Sequence, residues 1–359
     1  GAGNITWSIS PTTGVYLTNS SKTSVTVNVG QFSALSSASY NITATNPVST
    51  SCVQTFTITN TVTISAGAYL YGIALTTGAD YNINTRCTTD SSGNIYYTGG
   101  YRGAPVIYNL TTTNPNTSSS GYSLPNNTSG YFRPFLIKYN ASGIYQFSMA
   151  FNSGNGTDDS YGNSVRVDSS GNIYLGGTYN GTPTLYNLTA NPNTSSSGYS
   201  LPAFTAYGHV RMFVIKWNSS GTYQYSTGWV DGNYESGAND IGVDSAGNFY
   251  AGGFYYGAPT IWNLTANPST SSTGYTLPYN PNGFVWGFCI KWNSSGSYVS
   301  TTYIPAVNAY CLVGINNLTF DSANNLYLNF GYRGTPTLYQ FTTVPGATST
   351  GVSYTYDPY

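Results

Sequence analysis

Short runs of alternating apolar and polar residues cover most of the chain, and tight-turn signals divide them. In VRVDSSGNIYLGG two such runs flank D-S-S-G-N, where Asp can accept hydrogen bonds from the backbone just ahead of it and Gly supplies a positive φ. FVIKWNSSGTYQYS repeats the device around N-S-S-G. Period-two alternation over runs of this length predicts antiparallel strands rather than helices.

These blocks recur. DSSGNIYYTGGYRGAPVIYNL from Asp90 returns as DSSGNIYLGGTYNGTPTLYNL from Asp168, DSAGNFYAGGFYYGAPTIWNL from Asp244 and DSANNLYLNFGYRGTPTLYQF from Asp321, at spacings of 78, 76 and 77 residues. GYSLP at Gly121 and Gly198, GYTLP at Gly274 and a degraded GVSYT at Gly351 keep phase with them. FLIKYNASGIYQFS from Phe135, FVIKWNSSGTYQYS from Phe213 and FCIKWNSSGSYVST from Phe288 form a third series. Each repeat therefore predicts a four-stranded meander with an excursion, such as Gly181 to Pro202, between its second and third strands; the excursion itself predicts an outer hairpin with an exposed S/T/N-rich loop. Such a unit is one blade of a propeller. The expectation is an all-β chain: a four-repeat β-propeller over 66–359, with repeats beginning near 83, 161, 237 and 314, preceded by a small Ig-like β-sandwich over 1–65.

The motifs D-S-x-G-N-[IF]-Y-x-x-G and F-[VLC]-I-K-[YW]-N-x-S-G resemble the SBBP-type β-propeller repeats of secreted bacterial and archaeal proteins and of giant-virus proteins. The resemblance covers about 66 to 359; it implies a propeller scaffold and carries no catalytic residues. The period near 77 exceeds the roughly 40–50 residues usual for propeller repeats because of the excursion. In the first 65 residues, NITWSIS, SVTVNVG, SYNITATNP and CVQTFTITN read as short strands, and YNITATNPVSTSCVQTFTITN resembles the last two strands of bacterial Ig-like surface domains.

The strand count does not close. The fourth repeat ends at Tyr359 before any F-x-I-K-W strand, whereas GAYLYGIAL from Gly67 matches the fourth strand GTYQYSTGW from Gly221. The missing third strand could come in cis from Gln54 to Asn60 or from another subunit; the cis reading competes with a place for Gln54 to Asn60 in the sandwich, and the sandwich is favoured. An open edge is a template for strand addition.

Composition removes most other functions. The 359 residues include 10 Lys and Arg, 11 Asp and Glu and 1 His, so charged residues make up 6% of the chain against about 25% in an ordinary domain. A net charge of -1 offers no footprint for nucleic acid, and few titratable groups remain for acid–base catalysis. No apolar stretch nears about eighteen residues, so membrane insertion is not expected. The opening GAGNITWSIS has neither a charged leader nor an apolar core and reads as a mature form. Solubility must come from Ser, Thr, Asn, Gly and 36 Tyr.

Sixteen Asn-x-Ser/Thr sequons stand at Asn4, Asn19, Asn41, Asn109, Asn116, Asn126, Asn127, Asn140, Asn155, Asn180, Asn187, Asn193, Asn218, Asn263, Asn293 and Asn317, either as glycan acceptors or as the by-product of this composition. Cys52, Cys87, Cys289 and Cys311 lack metal-site spacing; disulfides Cys52–Cys87 and Cys289–Cys311, or buried thiols, are the alternatives. Asp90, Asp168, Asp244 and Asp321 read as turn formers, and Lys138, Lys216 and Lys291 as strand residues snorkelling or pairing with those turns. No cofactor is expected; calcium is the sole candidate, at Asp80, Asp158, Asp159 and Glu235 on loops entering the inner strands. His209 has no triad partners at a recognisable spacing. Tyr174, Tyr186, Tyr223 and Tyr225 are read as packing between blades, whereas Tyr101, Arg102, Tyr179, Tyr256, Tyr332 and Arg333 are read as exposed interface residues. The functional expectation is a non-enzymatic extracellular structural or adhesion protein, a subunit of a surface filament or a virion surface component that associates with copies of itself. A lectin-like module binding glycans is the alternative.

Overall fold

The computed structural model describes residues 6–10, 15–18, 26–29 and 41–45, and then 82–355 except 110–121, 152–155, 190–198, 205–207, 230–234, 266–274, 281–284, 306–312 and 345–349. The described residues are β-strands, turns and bends, without a helix. The chain divides into two compact units, Gly1–Leu70 and Tyr71–Tyr359.

In the first unit β1 (Thr6–Ser10) pairs antiparallel with β4 (Asn41–Thr45), and β2 (Val15–Thr18) with β3 (Thr26–Val29). The sequence reading missed β2. CVQTFTITN, including the strand Gln54 to Asn60, and the match from Gly67 lie outside the described residues.

The second unit repeats one plan. Its first repeat holds β5 (Asn82–Thr89), β6 (Ile95–Tyr101), β7 (Val106–Ile107), β8 (Tyr122–Ser123), β9 (Arg133–Tyr139) and β10 (Tyr145–Ala150). The second holds β11 (Tyr161–Val167), β12 (Ile173–Tyr179), β13 (Thr184–Leu185), β14 (Tyr199–Ser200), β15 (Arg211–Trp217) and β16 (Tyr223–Gly228). The third holds β17 (Ser236–Val243), β18 (Phe249–Tyr255), β19 (Thr260–Ile261), β20 (Tyr275–Thr276), β21 (Trp286–Trp292) and β22 (Tyr298–Ile304). Each of these repeats forms a four-stranded antiparallel sheet and a separate two-stranded hairpin from its excursion. In the fourth, β23 (Val313–Phe320) pairs with β24 (Leu326–Tyr332) and β25 (Thr337–Tyr339) with β26 (Gly351–Ser353); among the described residues no third or fourth strand joins them.

The turns form as their chemistry requires. Asp168 Oδ1 accepts from the Ser170 and Asn172 amides at 2.9 Å each while Gly171 takes φ +78°, and Asp90 and Asp244 repeat this with Gly93 and Gly247. In the fourth turn Asn324 stands at φ 64° where the others have Gly. Asn218 Oδ1 likewise holds the Ser220 and Thr222 amides in the second hairpin turn.

Adjacent repeats meet face to face. The first strand of every repeat carries a bulge at the same place, at Thr85, Asn163, Asn239 and Asn316. Asn163 Nδ2 donates to the Ala238 carbonyl at 2.9 Å, and Asn239 Nδ2 to the Ile315 carbonyl at 3.0 Å, so the bulges of the second and third repeats each tie their repeat to the next. Arg86 Nη2 reaches the Asn316 carbonyl at 3.3 Å, joining the first repeat to the fourth. Glycine permits the close approach: a Cβ on Gly176 would run into Ile241 Cγ2, and one on Gly252 into Ile315 Cγ2. Farther out, Ser226 and Thr265 exchange backbone hydrogen bonds, as do Thr301 and Thr342, so each excursion grips the last strand of the preceding repeat.

Gly176→Val is expected to destabilise the protein by about 2–3 kcal/mol through overpacking against Ile241. Gly331→Ala, whose new methyl would meet nothing closer than Asn316 Nδ2 at 3.5 Å, is expected to stay within about 0.5 kcal/mol of wild type. Urea unfolding of both variants checks the pair.

Candidate functional site

Two places in the second unit combine unusual chemistry with a definite position in the fold: a buried charge cluster on the first strands of the repeats, and the outer edge of β24.

The cluster centres on Asp240, which is completely buried. Its Oδ1 accepts from Ser164 Oγ at 2.5 Å, from Arg166 Nη2 at 2.9 Å and from the Ile241 amide at 3.0 Å; its Oδ2 accepts from the Leu318 amide at 2.9 Å and from Arg166 Nη2 at 3.1 Å. One carboxylate thus links the second, third and fourth repeats. Burial lowers the Arg166 guanidinium below its usual range against the pull of Asp240, and the charge of Arg86 lowers it further. With its lone pairs committed to donors, this carboxylate is a structural joint. A charge within an alternating strand was the available sequence signal, and the sequence reading did not use it.

The expected interface residues divide. Tyr101 and Tyr179 are not exposed: they are 1% and 0% accessible, and their hydroxyls donate to the Pro125 and Pro202 carbonyls at 3.0 Å. Lying at the ends of β6 and β12, they are covered by the returning excursion, which local sequence does not reveal. Arg102 is held by Asp159 at 3.1 Å and lies over the Phe132 ring at 4.1 Å, so it joins the first repeat to the second instead of facing outward. Tyr256 and Tyr332 are half-buried, and Arg333 is exposed.

Several sequons act as hydrogen-bonding elements. Asn180 is buried, accepts from the Thr157 amide at 2.7 Å and donates to the His209 carbonyl at 2.8 Å, which leaves no room for a glycan. Asn127 Nδ2 donates to the Tyr101 and Tyr131 carbonyls, so both of its hydrogens are committed. Asn109, Asn187 and Asn263 accept from the amides of Tyr145, Tyr223 and Tyr298, locking each excursion to the fourth strand of its own repeat. Asn140, Asn218 and Asn293 shape turns. Asn126 is exposed, Asn317 is half-buried opposite Asn329, and Asn41 lies in β4. Asn4, Asn19, Asn116, Asn155, Asn193, Cys52, Cys311 and Asp80 fall outside the described residues.

Cys87 and Cys289 carry free thiols, and the residues expected to pair with them, Cys52 and Cys311, lie outside the described residues. Cys289 sits fully buried among Tyr250, Ile304, Val313, Ile315 and Leu318 and serves as a small apolar residue; burial pushes its thiol pKa up. Cys87 is exposed on β5, at the register of the buried Val165, Ile241 and Leu318.

The repeated lysines sit beside aromatic rings. Lys138 Nζ lies 5.1 Å from the Tyr96 ring and 5.2 Å from Phe147, Lys216 as far from Tyr174 and Tyr225, and Lys291 5.1 Å from Tyr250 and 4.0 Å from the Asp244 carboxylate. Of the calcium candidates, Asp159 is bound up with Arg102, the Phe132 amide and the Tyr161 hydroxyl. Burial raises the Glu235 pKa, His209 opposes that shift and Asp158 adds to it. No group of three His, Cys, Asp or Glu that could hold a metal occurs among the described residues.

The second place is the β24 edge. Along β6, β12 and β18 nearly every side chain is covered, whereas β24 alternates between half-buried and exposed. Tyr96, Tyr174 and Tyr250 are 0%, 1% and 7% accessible; their counterpart Tyr327 is 56% accessible, although its hydroxyl keeps the same bond to its turn aspartate, Asp321, at 3.1 Å. Leu326, Leu328, Phe330, Leu338, Phe341 and Tyr354 line an open groove of about 500 Å³. In the other repeats the third strand closes this region, with Phe135 and Ile137 packed against Ile107 and Leu124 in the first.

No protein-family model and no curated protein sequence matches this chain.

Asp240→Asn is expected to cost about 3 kcal/mol, because it leaves Arg166 without its charged partner in a buried site. Thermal melts of the variant with its Arg166→Met double mutant measure the coupling. At Glu235 the folded-state pKa lies above the unfolded one, so its contribution to stability is present at low pH and lost as pH rises through the folded value. Glu235→Gln is therefore expected to raise Tm at about pH 7 and to leave it unchanged near pH 3.

Proposed function

We propose that this chain is a non-enzymatic extracellular structural or adhesion protein, a repeating subunit of a surface filament or a virion surface component. In this reading its second unit is an SBBP-like β-propeller, its first an Ig-like sandwich, and subunits associate with one another by strand exchange. The observation that carries the reading is the outer edge of β24, where Tyr327 is 56% accessible and an apolar groove adjoins a strand edge that no described residue pairs, in a unit whose other repeats are four-stranded.

The composition supports the same reading. A chain with 6% charged residues presents neutral hydrogen-bonding strands whose contacts depend little on ionised groups, as a surface structure exposed to changing salt and pH requires. Burial of Tyr101 and Tyr179 takes away the aromatic surface on which the lectin-like alternative rested.

Concentrated protein, examined by analytical ultracentrifugation and negative-stain electron microscopy, is expected to form oligomers or fibres that persist in about 1 M NaCl. A chain that stays monomeric at every concentration overturns the proposal.

A further inference from the structure

β24 carries a phenylalanine at a position where the other repeats have glycine. In the three complete sheets the second strand places a glycine opposite the third-strand phenylalanine: Gly99 faces Phe135, Gly177 faces Phe213 and Gly253 faces Phe288. The glycine is demanded first by the bulged first strand, since a Cβ on Gly177 would strike the Tyr161 carbonyl oxygen and one on Gly253 the Gly237 carbonyl oxygen; the Cβ on Gly177 would also come within 3.0 Å of Phe213 Cε1. Each of these phenylalanines packs edge-on against the recurring tyrosine at the end of the second strand, with centroids at 6.4 Å for Tyr101–Phe135, 6.4 Å for Tyr179–Phe213 and 6.3 Å for Tyr255–Phe288.

In the fourth repeat the residue at the glycine position is Phe330, opposite Ile315 as Gly253 is opposite Ala238. Its ring lies 6.1 Å from Tyr332, the counterpart of Tyr101, and 5.2 Å from Tyr354. Phe330 thus supplies from β24 itself the aromatic contact that a third strand supplies elsewhere. A strand bearing Phe at that register meets an occupied site.

Building on the strand-exchange reading above, we propose that the β24 edge accepts an extended, uncharged strand of a partner polypeptide with a small residue opposite Phe330, and that Phe330 rejects strands built like the chain's own third strands. Three sheets of the same chain show what covers this surface. By their register, the position opposite Leu328 takes an aliphatic residue, as Ile137, Ile215 and Ile290 do, and that opposite Leu326 takes an aromatic one, as Tyr139, Trp217 and Trp292 do. No residue from Leu326 to Tyr332 is charged, so nothing on this strand opposes a neutral neighbour. Phe330 thereby discourages copies of the chain from exchanging their third strands, a common route to misassembly in repeat proteins.

The test uses the full chain and two labelled, uncharged peptides: residues 209–219 with Arg211→Thr and Lys216→Thr, and the same peptide with Phe213→Gly in addition. Wild-type protein is expected to bind the glycine peptide at least about ten-fold more tightly than the phenylalanine peptide, a difference of roughly 1.4 kcal/mol. Phe330→Gly is expected to reverse the preference. Leu328→Lys, which puts a charge at the edge, is expected to abolish binding of the glycine peptide while leaving the thermal melt in place, so the inference does not rest on the folding of Phe330→Gly alone. Equal affinity for both peptides, absence of saturable binding to either, or binding that survives Leu328→Lys overturns the inference. Particles that assemble without peptide selectivity count against this inference alone, and a selective edge on a strictly monomeric chain counts against the proposed function alone.

Discussion

Each sheet of the second unit is covered only when the next repeat lies against it. The face of a second strand turned to the following repeat is too apolar to meet water, as Tyr174 shows, and it is sealed by the first strand of that repeat: Ile241 over Gly176, and Ile315 and Leu318 over Gly252. That contact dictates the rest. It requires glycine where two backbones approach, and a bulge to free one side chain per strand for the hydrogen bond across the gap. It also leaves any chain of such repeats with two unsatisfied ends. Cys87, exposed at a register where Val165, Ile241 and Leu318 are buried, marks one end, and Tyr327 marks the other. The Arg86 bond to the Asn316 carbonyl brings those ends into contact without covering them.

Neutral hydrogen bonds take the place that charges occupy in most proteins. Turn carboxylates such as Asp90 illustrate this: burial alone would raise the pKa, but donors from Asn94, Tyr96 and the Ser92 amide outweigh it and hold the group below its ordinary value. The amide side chains of Asn109, Asn187 and Asn263 perform the same service for the excursions. Against this background the Asp240–Arg166 pair stands apart, because it spends a buried charge where three repeats converge. Such a pair contributes little net stability yet is costly to break, so its effect is to fix the register between repeats rather than to strengthen them.

What the sequence disclosed, and what it hid, follows from the range of the interactions. The strands and turns of the repeats were legible because D-S-x-G-N and N-x-S-G complete their bonding within five residues, and the excursion hairpin was legible from its recurrence. The burial of Tyr101 and Tyr179 was not, since it depends on chain returning more than twenty residues later to place Pro125 and Pro202 over them. The sequons were open to two readings for a related reason: the pattern N-x-S/T coincides with what a turn or an excursion lock needs, and at Asn180 only the fold shows that the amide is buried. The burial of Cys289 likewise follows from its place between β18 and β22 rather than from its spacing to another cysteine.

The fourth repeat departs from the other three in ways that fit one another. Among the described residues no third strand places a phenylalanine beside the recurring tyrosine, and Phe330, standing where the other repeats have glycine, sets a ring there instead. Tyr354, standing where the other excursions carry Leu124, Leu201 and Leu277, supplies a second ring against Phe330 and Tyr332. Independent drift at each of these positions would weaken packing. Here the differing residues add apolar volume and place it in contact, so β24 presents a shaped apolar surface.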